Sequence, residues 1–133
     1  MELSQGVTIT EPATLDSIRE EATRCHARVL YVDTRGMCSR EAVVRALGDG
    51  IPMDPPITSG RIWDAVEDSL WGGLFGLEED KIVILLTGSA SFAHDEPNEF
   101  ATMLDVLRCV ARELADASCT HDHPKMVCVY VSR

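Results

Sequence analysis

Lys81-Ile82-Val83-Ile84-Leu85-Leu86-Thr87 is the stretch on which the fold turns. Its centre is continuously apolar and rich in β-branched residues, without the polar alternation of a strand that faces water on one side. Such a strand is buried on both faces, as strands of parallel sheets are. Two further segments read as its partners, Arg28–Asp33 (RVLYVD) before it and Met126–Val131 (MVCVYV) at the end of the chain. Helical patterns separate the three. Strands alternating with helices imply crossover connections, so the expected fold is α/β: a small three-stranded parallel sheet packed with helices.

Working outward, Pro12 and Thr14 open a helical pattern in which Leu15, Ile18 and Ala22 recur, with Glu20 and Glu21 on the other side. Residues 1–10 carry no strong signal. Ser39 is suited to cap a helix from Arg40 to about Leu47, ended by Gly48-Asp49-Gly50, and Pro52, Pro55 and Pro56 stiffen the loop that follows. A helix from about Gly60 to Trp71 is expected next, broken by Gly72-Gly73. Asp95, with Pro97 in the first turn, is expected to cap the longest helix, which runs to about Ala117 with Phe100, Met103, Leu104, Leu107, Val110, Ala111 and Leu114 as its apolar stripe.

At 133 residues, with 45% hydrophobic and 26% charged, the composition is that of one ordinary globular domain. No apolar run approaches the roughly 20 residues of a membrane helix. The start, Met1-Glu2-Leu3-Ser4-Gln5, lacks the basic and apolar segments of a signal peptide. Five cysteines (Cys25, Cys38, Cys109, Cys119, Cys128) cannot all pair in one chain. Reduced thiols and a cytoplasmic location are therefore expected. The net charge of −10 disfavours a binder of nucleic acid, whose phosphates would be repelled. That charge is concentrated: residues 51–100 hold 10 acids against only Arg61 and Lys81. A one-sided acidic field suits a basic partner.

The acids converge on one helix. At about 100° per residue, Ile62, Ala65, Val66, Ser69 and Leu70 fall on one side of the segment and are expected in the core. Asp64, Glu67, Asp68 and Trp71 fall opposite, at i, i+3, i+4 and i+7. Neighbouring acids at this spacing repel by a few tenths of a kcal/mol per pair, and no lysine or arginine in the stripe offsets them. Acids and an aromatic together are what a surface for a basic partner needs, although Trp71 could equally turn back over the Gly72-Gly73 corner.

Gly60-Arg61-Ile62-Trp63-Asp64-Ala65-Val66-Glu67-Asp68-Ser69-Leu70 resembles the signature helix of the barstar family, roughly Gly-x-Asn-aromatic/Leu-Asp-Ala-Leu-x-Asp-x-Leu. The order of elements across residues 28–133 resembles that family too, leaving residues 1–27 as an added N-terminal extension with a helix. The resemblance implies an intracellular immunity protein that occludes the active site of a cationic ribonuclease toxin as a one-to-one heterodimer. It implies no cofactor, no catalysis, and no contact with nucleic acid or membrane. By position, Asp68 takes the family's central contact where RNA phosphate would bind, with Asp64 one turn earlier. Glu67 becomes a flanking acid, Trp63 and Trp71 candidate aromatic contacts, and Thr58, Ser59 and Gly60 the approaching loop, with Gly72 at the far end of the surface. Three departures concern specificity. Thr58-Ser59 stands where an aromatic pair is common, Ile62 where asparagine is usual, and Cys109 where the long helix brings a further acid.

Other constellations are weaker. Cys119-Thr120-His121-Asp122-His123 has metal-ligand residue types but no standard zinc spacing, and lacks a second pair unless Cys25 and His26 approach. A small metal- or histidine-dependent enzyme using His121 and His123 is the alternative reading from another class. An immunity protein against a toxin that is not a ribonuclease, and a general acidic interaction module, are the others. His94-Asp95-Glu96 reads as helix capping, and Gly72-Gly73-x-x-Gly76 follows a helix and so lacks the setting of a phosphate loop.

Overall fold

Side chains along the strands alternate between two separate cores, and the helices are distributed to match. The computed structural model describes residues 2–57 and 62–133. Its sheet has four parallel strands, β1 (Gly6–Ile9), β2 (Arg28–Asp33), β3 (Lys81–Thr87) and β4 (Met126–Val131), in the order β1-β4-β3-β2. Leu30 and Val32 of β2, Ile82, Ile84 and Leu86 of β3, and Val127, Val129 and Val131 of β4 point into the larger core. Val83, Leu85, Cys128 and Tyr130 point the other way.

Among the described residues there are five α-helices: α1 (Leu15–Arg24, after a 3-10 turn at Pro12–Thr14), α2 (Arg40–Gly50), α3 (Trp63–Phe75), α4 (Ala90–Asp95) and α5 (Pro97–Leu114). The larger core takes apolar faces from α2, α3 and α5, with Phe92 of α4 fully buried among them. On the second face Ile18 and Ala22 of α1 cover Val83, Leu85, Cys128 and Tyr130. As its uninterrupted apolar run predicts, β3 is buried from Ile82 to Leu86. Ser39 caps α2 by accepting a hydrogen bond from Ala42 N–H at 3.2 Å.

Five expectations are corrected. The sheet has four strands rather than three. Its fourth, β1, is a four-residue edge strand whose identity comes from parallel pairing of Gly6 to Cys128 and Ile9 to Val131, which no local pattern announces. The helix expected to stop at about Leu47 continues to Gly50, because there the missing Cβ is what lets the helix touch β2: a Cβ on Gly50 would lie 2.1 Å from the Tyr31 carbonyl oxygen. Gly72-Gly73 does not break α3 either. Finally, Asp95 ends α4 rather than capping the long helix. Pro97 disfavours the helical region for the residue before it, so Glu96 takes φ −133°, ψ 67° and divides the segment in two. The Asp95 carboxylate instead meets His94 Nδ1 at 2.9 Å, and α5 stops at Leu114, short of Ala117.

Candidate functional site

The inward face of α3 consists of Trp63, Val66, Ser69, Leu70, Gly73 and Leu74. This stripe is rotated from the expected one. The helix begins at Trp63, so Ile62 precedes the first turn and is 63% exposed, while the indole takes the inward position. Trp63, expected as an aromatic contact for a partner, is therefore corrected to a core residue: it is 8% exposed and its Nε1–H donates to Glu99 Oε2 at 2.7 Å. Thr58, Ser59, Gly60 and Arg61 lie outside the described residues.

The outward face carries the acids. Asp64 and Asp68 are exposed, one turn apart. Among the described residues no salt bridge includes either. Glu67 and Trp71 are half-buried on the flank. The Trp71 ring stacks on Phe75, with centroids 4.8 Å apart and planes 24° from parallel, and it packs against the larger core. Stacking on the residue one turn onward thus uses part of that ring in folding.

The loop after α2 clamps the far side of α3. Asp54 N–H donates to the Ser69 carbonyl at 3.0 Å, and the backbone of residues 52–54 lies directly on Gly72 and Gly73. A Cβ on Gly72 would sit 2.3 Å from the Asp54 carbonyl oxygen, and one on Gly73 1.8 Å from that of Pro52. Glycine is required here for close approach, with the helix intact. Gly72 is accordingly half-buried beneath that loop.

Beside the acidic face, α5 adds a feature that the sequence reading missed. The Cys109 thiol donates to Glu113 Oε1 at 3.4 Å, and Glu67, Cys109 and Glu113 offer three ligand-type atoms within 4.8 Å of one another. Burial pushes the Cys109 thiol above its ordinary range, helped by the hydrogen bond to Glu113 and the charge of Glu67. The position where a carboxylate was noted as lacking is thus flanked by two. Helical spacing from Cys109 to Glu113 is a signal that could have found the second. These half-buried carboxylates can accept hydrogen bonds from a cation, whereas a thiol held protonated is a poor metal ligand.

The Cys119–His123 loop is built differently from a metal centre. Cys119, His121 and His123 are exposed, and left-handed backbone at His121 (φ 51°) and Asp122 (φ 65°) makes the turn. Buried Thr120 holds it by donating to the Asp116 carbonyl at 3.0 Å. Among the described residues, the one group of three ligand types within mutual reach is Glu67, Cys109 and Glu113.

Fold and site together define a small α/β protein whose parallel sheet supports a rigid helix with exposed acids. The chain belongs to the barstar family: the family model described as Barstar (barnase inhibitor) matches residues 27–130. Neither the curated proteins nor the solved structures contain a match to it. Members of that family are inhibitors, and their partner is a ribonuclease. No helix among the described residues is long and apolar enough to cross a membrane.

Proposed function

We propose that this chain is an immunity protein that neutralises a cationic ribonuclease toxin by seating the outward face of α3 in the enzyme's active site. The observation that carries this reading is the pairing of Asp64 and Asp68, exposed one turn apart on a helix whose opposite face is locked into the core. Keeping two carboxylates together costs folding free energy through repulsion. A nuclease that binds RNA phosphate with arginine and lysine compensates it by charge-assisted hydrogen bonds.

Asp68 is the central contact and Asp64 its companion. Glu67 flanks them, joined by Glu113 of α5 across Cys109. The exposed part of Trp71 borders the face, Gly72 closes its far end, and Thr58, Ser59 and Gly60 are further candidate contacts that precede the helix in sequence. The complex is a one-to-one heterodimer without cofactor, formed in the cytoplasm, and the chain makes no contact with nucleic acid. Residues 1–27 are an extension that supports the sheet and stands apart from this surface.

The test is capture on the immobilised chain from the source organism's lysate and secreted fraction, at low and high salt, followed by RNA-cleavage assays of the captured protein. The expected result is a tight partner whose cleavage of RNA is abolished at one equivalent of the chain. A partner with another toxic activity removes the ribonuclease from this reading and keeps the immunity role. Weak, promiscuous capture that salt abolishes sinks both.

A further inference from the structure

Among the described residues the amino end of α3 has no side-chain cap, because Ile62 at the N-cap offers none. Uncapped first turns leave backbone N–H groups without partners and fray. Here the first turn carries Asp64, which must be held still to act with Asp68. Ala65 N–H and Val66 N–H donate to the Ile62 carbonyl at 3.2 and 3.4 Å. A side-chain tether on the first residue of the helix adds to these bonds.

We infer that Glu99 is the positioning residue for the acidic face, holding the start of α3 through the indole of Trp63. One Glu99 oxygen accepts the Trp63 N–H at 2.7 Å, and the other lies 3.6 Å from Arg40 Nη1. Trp63 is the first residue of α3, Arg40 the first of α2, and Glu99 lies in the first turn of α5. Side chains from the first turns of three helices thus meet at one carboxylate, which is also favourably placed at the amino end of its own helix. The indole is clamped between this carboxylate and the core, so the residue next to it has a fixed direction. Because Asp64 follows Trp63 directly, this tether acts on the partner-binding face without touching the partner. The inference about binding rests on the inhibitor reading above; the inference about the first turn does not.

Three variants separate the contributions. Trp63→Phe keeps an aromatic ring and removes the N–H, Glu99→Leu removes the acceptor, and Glu99→Gln keeps an acceptor without charge. Amide hydrogen exchange in the free full-length protein reads the first turn directly. Exchange at Ala65, Val66 and Glu67 is expected to rise about tenfold in Glu99→Leu and Trp63→Phe, the scale of one lost charged hydrogen bond, with β3 amides unchanged. Glu99→Gln is expected to restore most of the protection. With two tryptophans in the chain, the indole N–H resonance lost in Trp63→Phe also reports the contact spectroscopically.

Dissociation from the nuclease captured above is expected to accelerate about tenfold in the same two variants, with no further loss when they are combined. Unchanged exchange at residues 65–67 in Glu99→Leu overturns the inference whatever any nuclease does. Faster exchange with unchanged dissociation also overturns it, since the tether would then serve folding alone. If the wild-type chain inhibits no nuclease while the exchange pattern appears as expected, the tether stands and the inhibitor reading falls.

Discussion

Asp64 and Asp68 are exposed carboxylates on a helix, four residues apart; Asp64 suits the amino end of the helix, whereas Asp68, a turn further in, brings no such gain. Replacing Asp68 by alanine exchanges a poor helix former for the best one and removes a like-charge neighbour. Denaturant unfolding should therefore show Asp68→Ala unchanged or more stable by a few tenths of a kcal/mol. The same substitution should weaken nuclease binding by at least about 2 kcal/mol, or roughly thirtyfold. A residue that opposes stability and supports binding is the signature of a functional acid. Cys128 represents the opposite case. Burial, with a smaller contribution from Cys25, pushes its thiol up from 9.0 to about 11. The folded state then holds the proton that the unfolded state releases. The stability linked to Cys128 is complete below pH 9 and declines as pH rises through 9 toward 11. Chemical denaturation across that range should show the decline, and Cys128→Ala should reduce its slope.

Within α3, the glycines decide how the helix sits. Glycine to alanine normally stabilises a helix interior by about 1 kcal/mol. At Gly73 the sign should reverse, because the added Cβ would lie 1.8 Å from the Pro52 carbonyl oxygen and the clamp would have to shift. Gly76, whose nearest atoms stand at 3.5 Å or beyond, should tolerate alanine without loss. Thermal or denaturant unfolding of the two variants compares the positions directly. This element also shows which features were legible before folding. The uninterrupted apolar run of β3, the Ser39 cap and the acidic positions on α3 are local patterns, and local patterns can be read. Whether Gly72-Gly73 breaks a helix or admits a loop depends on Pro52 and Asp54, about twenty positions away in the chain. Trp63 is ambiguous for a similar reason: spacing alone cannot say that the helix begins there, nor that Glu99 offers an acceptor. The same holds for β1, which is defined by its partner strand, and for Glu113, which becomes part of the acidic surface only when α5 packs beside α3.

Across the molecule, the sheet separates α1 from the proposed recognition surface. α1 covers one face, and α3 presents its acids from the other. Ile18 is 3% exposed on the α1 side, so Ile18→Ala should cost about 2–4 kcal/mol of stability. Nuclease affinity measured well below the melting temperature should be unaffected. Charge acts over the same scale, since most of the net charge of −10 comes from residues 51–100. Association with a cationic partner should slow as salt is raised, while dissociation changes little, which stopped-flow mixing at several ionic strengths can follow. The central claim, that the outward face of α3 is the inhibitory surface, is tested most directly by titrating the captured nuclease with wild-type chain and with Asp68→Ala. RNA cleavage should fall to zero at one equivalent of wild type and persist at one equivalent of the variant. Equal inhibition by both chains would contradict the account and move the inhibitory surface elsewhere on the molecule.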